Sequence, residues 1–294
     1  MITKTLQKPL SSDHAIESHK KTITNPTFIK WAGGKTQLLS KFEKLYPLYF
    51  NRFFEPFIGS GAVFFYLKQL YPEKEMFLSD NNSELINCYE IVKNDLEQLI
   101  ELLKEHRSKH NKEYYYSIRN MEITDLSNVE LAARFIYLNK TCFNGLYRVN
   151  SKGKFNVPIG GYKNPRIFKE SDLRNAKELL QGVELKTMPF EELINIAQKN
   201  DFIYLDPPYH PLSQTSSFTS YTRTSFTEDD QVRLAEVYRQ LDKKGCLLML
   251  SNSYCDFILD LYDGYRIEQV SAKRMINCNG KKRGAVDEAV VINY

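Results

Sequence analysis

The sequence predicts an α/β fold in which a parallel or mixed sheet is covered by helices and interrupted by an inserted helical and β-hairpin unit. Three observations predict it. Apolar, strand-like runs alternate with helical patterns from residue 28 onwards. Two of those runs, "RFFEPFI" and "DFIYLD", pass directly into turns rich in Gly or Pro. Between them, the interval from Ser83 to about Leu180 is helix-rich and closes on a stretch punctuated by Gly, Asn and Pro, unlike its flanks.

Met1 to Thr27 is polar, with "SSDHAIESHKK" showing no sustained period, and reads as a flexible arm. Next comes "FIKWAGGKTQLL", whose glycines and lysine suggest a phosphate-gripping loop. The Walker pattern requires a glycine five residues before Gly34, and Ile29 stands there. A different ligand is needed. "RFFEPFIGSGAVFFYL" then runs from an apolar strand through Gly59-Ser60-Gly61 into a helical pattern, the layout that brings a backbone close to a nucleotide-like ligand. The same tripeptide also suits a plain tight connection. Phe64 occupies the third glycine position of the dinucleotide fingerprint, which disfavours a nicotinamide cofactor. "EMFLSD" is the next strand and places Asp80 about 20 residues beyond the glycines, where a carboxylate meets ribose hydroxyls. Asp80 suits a helix N-cap as well. After the insertion (83–180), "GVELKT", "DFIYLD", "GCLLMLS", "YRIEQV" and "EAVVINY" supply the remaining strands, so residues 28–82 and 181–294 form one catalytic domain.

With 294 residues, 42% of them hydrophobic, the chain can bury a large core. Forty basic against 36 acidic side chains give +4, which permits nucleic-acid binding without requiring it. No apolar run reaches membrane-spanning length and no signal-peptide core opens the chain, so a cytoplasmic protein is expected. Cys88, Cys142, Cys246, Cys255 and Cys278 form no C-x-x-C pair, so neither a zinc knuckle nor a disulfide framework is signalled.

"DFIYLDPPYHPLS" carries the strongest chemical signal. An apolar strand leads into Asp206-Pro207-Pro208-Tyr209, and the prolines stiffen the turn and remove amide donors. Such a loop lies at the carboxyl end of a strand, where open α/β sheets bind ligands. Its chemistry suits transfer to an exocyclic amino group. That nitrogen is a poor nucleophile, because its lone pair is delocalised into the ring. Acceptors that hold its hydrogens assist attack, and the Asp206 carboxylate and the Pro207 carbonyl can serve. Tyr209 can stack on the base.

Within the insertion, "NGLYRVNSKGKFNV" has turn signals at Asn144-Gly145 and around Ser151 to Gly153, consistent with a hairpin that projects Arg148, flanked by Lys152 and Lys154. A projecting arginine suits the edge of a guanine, and equally suits solvent. His106 and His110 share a helical face, but Arg107 stands where a zinc protease needs glutamate, so both are expected to be solvent-exposed. Tyr114 to Tyr116 read as a mixture of core and surface aromatics. Thr227 and Asp230 read as a capping box opening "EDDQVRLAEVYRQL". "PLSQTSSFTSYTRTSF" is polar and aperiodic, a candidate mobile loop in which Phe218 and Tyr221 would wall a base pocket.

Taken in order, "KWAGGK", "EPFIGSGAVF", "LSDNN", "FNGLYRVNSKGKFNVPIGGYKNP", "DPPYHPLS", "SFT" and "DEAVVINY" resemble the Dam-type DNA adenine-N6 methyltransferases, close to the DpnM-like methylases of restriction-modification systems, over Phe28 to Tyr294. The resemblance implies a Rossmann-like methyltransferase sheet made mixed by a reversed last strand. It implies that Trp31 and Lys35 cover S-adenosylmethionine, and that Glu55, Phe57, Asp80 and Asp206 line its pocket beside Gly59 and Gly61. It further implies that Lys30, Phe143, Asn144, Leu146, Arg148 and Pro158 contact double-stranded DNA. Phe143 stands where the family has tyrosine, so stacking is kept and a hydroxyl contact is not. The expectation is a monomeric, metal-independent enzyme that flips adenine out of GATC and transfers a methyl group to N6 directly. Amino-methylation of cytosine is the alternative within the same chemistry. A catalytically silent DNA-binding relative is the alternative outside it, opposed by the intact Asp206, Tyr209 and glycine loop.

Overall fold

The computed structural model describes residues 23–212, 226–273 and 285–294. Each strand-like run becomes a strand: β1 (Phe53–Glu55), β2 (Met76–Asp80), β3 (Glu184–Thr187), β4 (Phe202–Leu205), β5 (Leu247–Ser253), β6 (Arg266–Lys273) and β7 (Ala285–Ile292). They form a single sheet in the order β3-β2-β1-β4-β5-β7-β6. Neighbours among β1 to β5 run parallel, whereas β7 lies antiparallel to both β5 and β6, so the sheet is mixed as expected.

Alternation along the central strands divides the core between the two faces. Phe53, Phe202 and Tyr204 join one buried cluster, and Phe54, Ile203 and Leu205 join the other. Successive side chains on a strand point to opposite faces, and both faces are covered, so the run reads as continuously apolar. Ten α-helices stand among the described residues: α1 (Leu39–Phe42), α2 (Ala62–Leu70), α3 (Ser83–Asn94), α4 (Leu96–Lys109), α5 (Lys112–Asn120), α6 (Asn128–Thr141), α7 (Glu170–Leu179), α8 (Leu193–Ile196), α9 (Glu228–Lys243) and α10 (Asp256–Leu261). Apolar residues of α1 to α7 pack in the first cluster and those of α8 to α10 in the second. None of the described helices is long and apolar enough to cross a membrane.

Helix α3 contacts β2 and β3 and also α6, so it joins the sheet to the intervening helices. Helix α6 is buried almost all round, with Ala132, Ala133, Phe135, Ile136, Tyr137 and Leu138 enclosed. Caps define where these helices begin. Asn82 accepts the Glu84 and Leu85 amides at the start of α3, and Ser127 with Glu130 forms a capping box on α6. The capping box read at Thr227 and Asp230 is present on α9.

One expectation is corrected. His106 and His110 are half-buried rather than exposed. His106 Nδ1 lies 2.8 Å from the Tyr114 hydroxyl, and its ring stacks on Tyr137 at 4.8 Å. His110 ends α4 and meets the Tyr137 hydroxyl at 2.9 Å. Burial holds the His106 imidazole down to about 4, so it is neutral at physiological pH. Periodicity identifies the helix, but it carries no information about α5 and α6 folding against this face. Of the arm, only 23–27 are described; there Thr24 pairs with Gln69 and Asn25 with Thr36.

Candidate active site

Glu55 ends β1 and the chain turns sharply after it. Gly59 and Gly61 adopt left-handed backbone, at φ 47° and 68°. This region disfavours side chains, and here space forbids them too: a Cβ on Gly59 would lie 2.7 Å from the Trp31 ring, and one on Gly61 2.8 Å from the Tyr89 hydroxyl. Tyr89 donates to the Gly59 carbonyl at 3.0 Å, fixing the turn from below. Trp31 covers it from above, stacked in turn against Phe135 and Tyr147. Phe64, at the third fingerprint position, lies buried within α2.

Two carboxyls border this turn. Glu55 is buried, accepts the Phe64 amide and has an Oε2 without a hydrogen-bond partner. Burial, then the charge on Asp206, raises it well above the usual carboxylate range. Asp80 ends β2, where its carboxylate accepts the amides of Asn82, Gly59 and Asn81. Burial outweighs those bonds and lifts it to about 6. Because Asn82 caps α3, Asp80 is not an N-cap. Phe57, half-buried, packs against Phe190 and Phe226.

The rigid loop after β4 faces this turn. Lys35 is buried, its Nζ 2.8 Å from Asp206 Oδ1 and 2.6 Å from the Gly33 carbonyl, which accepts from it. The same ammonium lies 4.7 Å from the centroid of the Tyr209 ring, a cation–π contact. Burial lifts Asp206 to about 6 against the pull of Lys35. The Tyr209 hydroxyl donates to Glu288 on β7 at 2.7 Å, and burial pushes it well above its ordinary value. Three buried polar residues hold the loop's backbone. Gln231 donates to the Pro208 carbonyl at 2.8 Å, and Asn252 donates to Gln231 at 3.0 Å while accepting the His210 amide at 3.0 Å. Ser253 donates to the His210 carbonyl at 2.6 Å. Among the described residues no donor reaches the Pro207 carbonyl. It remains an acceptor at the site's edge.

The segment read as a hairpin forms one through isolated bridges, Cys142 with Ile159 and Val149 with Phe155, rather than through full strands. Phe143 and Pro158 are exposed and adjacent, joined by the Phe143 amide donating to the Pro158 carbonyl at 2.9 Å. Asn144 sits in left-handed backbone at φ 55°, and Leu146 is half-buried. Arg148 projects outward, its Nε donating to Asn156 at 2.8 Å while its terminal nitrogens meet no partner among the described residues. Lys30 lies across this segment with its Nζ 4.1 Å from the Tyr162 ring centroid.

Trp31, Gly59, Gly61, Glu55, Asp80, Lys35, Asp206 and Tyr209 thus converge at the carboxyl ends of the central strands, and Lys30, next to Trp31 in the chain, meets the hairpin segment at Gly145. Phe218, Tyr221 and Cys278 lie outside the described residues. Sequence reasoning missed Asn139, Asn156, Gln231, Asn252 and Glu288. Asn139, Gln231 and Asn252 stand in ordinary helical or strand contexts, and Asn156 and Glu288 lie within quoted motifs that carry no sign of the contacts they make. No group of three His, Cys, Asp or Glu side chains among the described residues is arranged to hold a metal ion.

Residues 31–276 match the family model of the D12 class N6 adenine-specific DNA methyltransferases. A type II methyltransferase of Methanocaldococcus jannaschii, M.MjaIII, is 50% identical over 284 residues, covering 91% of this chain and 98% of the relative. M1.LlaDCHI, a type II methyltransferase of Lactococcus lactis subsp. cremoris, is 47% identical over 281 residues, covering 94% and 98%. A DNA adenine methylase of Haemophilus influenzae is 35% identical over 280 residues, covering 94% and 96%. With strands, glycine turn and Asp-Pro-Pro-Tyr loop in place, the chain belongs to the D12 class of adenine-specific DNA methyltransferases, enzymes that place a methyl group on adenine N6.

Proposed function

We propose that this enzyme takes its methyl group from S-adenosylmethionine, delivers it to adenine flipped from 5'-GATC-3' duplex DNA, and works as a monomer in the cytoplasm. The pairing of Lys35 with Asp206 between the glycine turn and Tyr209 carries this reading. It brings a cation and an acceptor to the place where the glycine turn and the Asp-Pro-Pro-Tyr loop face each other.

The pocket's donors and acceptors fit that cofactor. Gly59 and Gly61 leave room where any side chain would collide with Trp31 or Tyr89. Lys35 suits a carboxylate, the unpartnered oxygen of Glu55 suits an ammonium, and Asp80 suits vicinal hydroxyls. When bound, the cofactor supplies an electrophilic methyl group on a sulfonium. Everything else falls to the chain. Tyr209 stacks on the flipped base, its ring oriented by Glu288. The Asp206 carboxylate and the Pro207 carbonyl accept the two N6–H groups, which turns the nitrogen lone pair out of the ring plane and toward the methyl carbon. As the N–C bond forms and the S–C bond breaks, positive charge grows on N6. Asp206 stabilises that charge and provides the route by which the surplus proton leaves. Lys35 holds the carboxylate in place. Arg148, pre-oriented by Asn156, presents its free edge to guanine O6 and N7.

Single-turnover transfer of labelled methyl to a GATC duplex, with the Asp206→Ala variant in parallel, tests the reading. Transfer should nearly vanish in the variant while gel-shift affinity for the duplex is retained. Transfer at the parental rate would remove Asp206 from the chemistry.

A further inference from the structure

Asn139 lies in the last turn of α6 and is fully buried, with a relative exposure of 0%. A buried primary amide must find partners for both of its ends, and those partners define its role. Here none of the partners belongs to its own helix. Its Oδ1 accepts the Lys30 amide at 2.7 Å, and its Nδ2 donates to the Lys30 carbonyl at 2.8 Å and to the Gly145 carbonyl at 3.2 Å. One side chain therefore grips both backbone groups of Lys30 and the turn at Asn144-Gly145. Steric fit tightens the same junction. Gly145 is left-handed at φ 65°, and a Cβ there would lie 2.5 Å from the Lys30 side chain. On the far side, Trp31 lies against Gly59 of the cofactor turn and stacks at 5.9 Å on Tyr147, two residues beyond Gly145.

We infer that Asn139 is a positioning residue that makes the Lys30–Trp31 segment and the 144–148 turn a single body, so that filling the cofactor pocket sets the DNA-reading turn. The inference rests on the assignment of the two pockets made above. Its physical content is a coupling between sites: a ligand held beneath Trp31 fixes Lys30, and Lys30 can move only together with Gly145. Without the amide, each segment can still be ordered by its own ligand, but the response of one to the other falls to what the Trp31–Tyr147 stack and the Lys30–Gly145 contact pass on.

The test is a binding cycle. A fluorescent GATC duplex is titrated with the full chain, with and without saturating S-adenosylhomocysteine as the probe, and a scrambled duplex serves as control. In the parent, the probe should tighten GATC binding about tenfold or more, and it should tighten binding to the scrambled duplex far less. In Asn139→Ser the enhancement should fall below about threefold while each ligand alone still binds. A lower melting temperature with the enhancement intact would reduce Asn139 to a structural residue and overturn the proposal. Absence of enhancement in the parent would overturn it too. Failure of the parent to bind the probe, or to prefer GATC, would instead overturn the pocket assignments, so the two failures are distinguishable. Should Asn139→Ser fail to fold, hydrogen exchange in the parent decides. Probe binding should slow exchange of the Gly145 and Leu146 amides, and unchanged exchange there overturns the coupling.

Discussion

Lys35 and Asp206 form a buried ion pair at 2.8 Å, although one precedes the first strand and the other follows the fourth. The lysine is 3% exposed, its partner 18%. Removing one member of such a pair leaves an uncompensated charge, which costs about 3–5 kcal/mol in a fully buried site and less where water reaches one side. Lys35→Met should therefore weaken cofactor-analogue binding by at least about tenfold, measured by calorimetry. It should also raise the Asp206 pKa, moving the acidic limb of the methylation rate to higher pH. Binding and pH profile both unchanged would detach Lys35 from the pocket.

Asp80 gives the pocket a pH dependence of known sign. Its folded-state value is raised from 3.8 to about 6, so the unliganded fold binds more protons than the unfolded chain across that window, and Asp80 costs stability as pH rises through it. Ribose hydroxyls favour the ionised form. The melting-temperature gain produced by a cofactor analogue should accordingly be larger at about pH 7 than at about pH 5, with affinity falling about tenfold per unit below the Asp80 value. Asp206 titrates in the same range, so the Asp80→Asn variant isolates the carboxylate under test. A gain equal at both pH values in the parent contradicts the assignment.

The carbonyl of Pro208 is held by Gln231, which is held by Asn252. Gln231→Leu strips the Pro208 carbonyl and the buried Asn252 amide of their partners, a loss of about 1–3 kcal/mol for the buried group and less for the carbonyl, which water can reach. The loop that presents Asp206 should then wander. Turnover should fall about 10- to 100-fold, while duplex affinity stays within about threefold, because misplacement by an ångström costs rate rather than binding. A loss of duplex affinity at unchanged turnover would place this pair in DNA binding instead.

Much of this was readable beforehand, for reasons specific to each residue. The strand "DFIYLD" is legible because both of its faces are covered, leaving no polar positions to obscure the apolar run. The turn at Gly59 and Gly61 is legible because its left-handed backbone disfavours a side chain and one at either position would meet Trp31 or Tyr89. Asn139, Gln231 and Asn252 were not legible. A polar residue inside a helical or strand pattern reads as surface, and these three are buried only because they serve the backbone of segments distant in sequence. His106 and His110 read as exposed for the same reason: their partner Tyr137 belongs to another helix.

Arg148 separates base reading from charge neutralisation. Bidentate bonds to guanine would make Arg148→Ala cost about 1–3 kcal/mol at one base pair and relax preference there. A phosphate contact would weaken all substrates alike and reduce the salt slope by about one charge. Asn156→Ala, which frees the Arg148 Nε, should show the base-specific pattern in weaker form. Methylation rates on GATC and on singly altered duplexes at matched salt distinguish the two. Uniform weakening would move specificity to Lys30, Asn144 or Pro158.

The most direct test of the whole account is to find where the methyl group arrives. Unmethylated genomic DNA is incubated with the purified chain and S-adenosylmethionine, then read by single-molecule sequencing for modified bases. N6-methyladenine is expected at GATC on both strands, and none with Asp206→Ala. Modification of cytosine, or of adenines outside GATC, would contradict it.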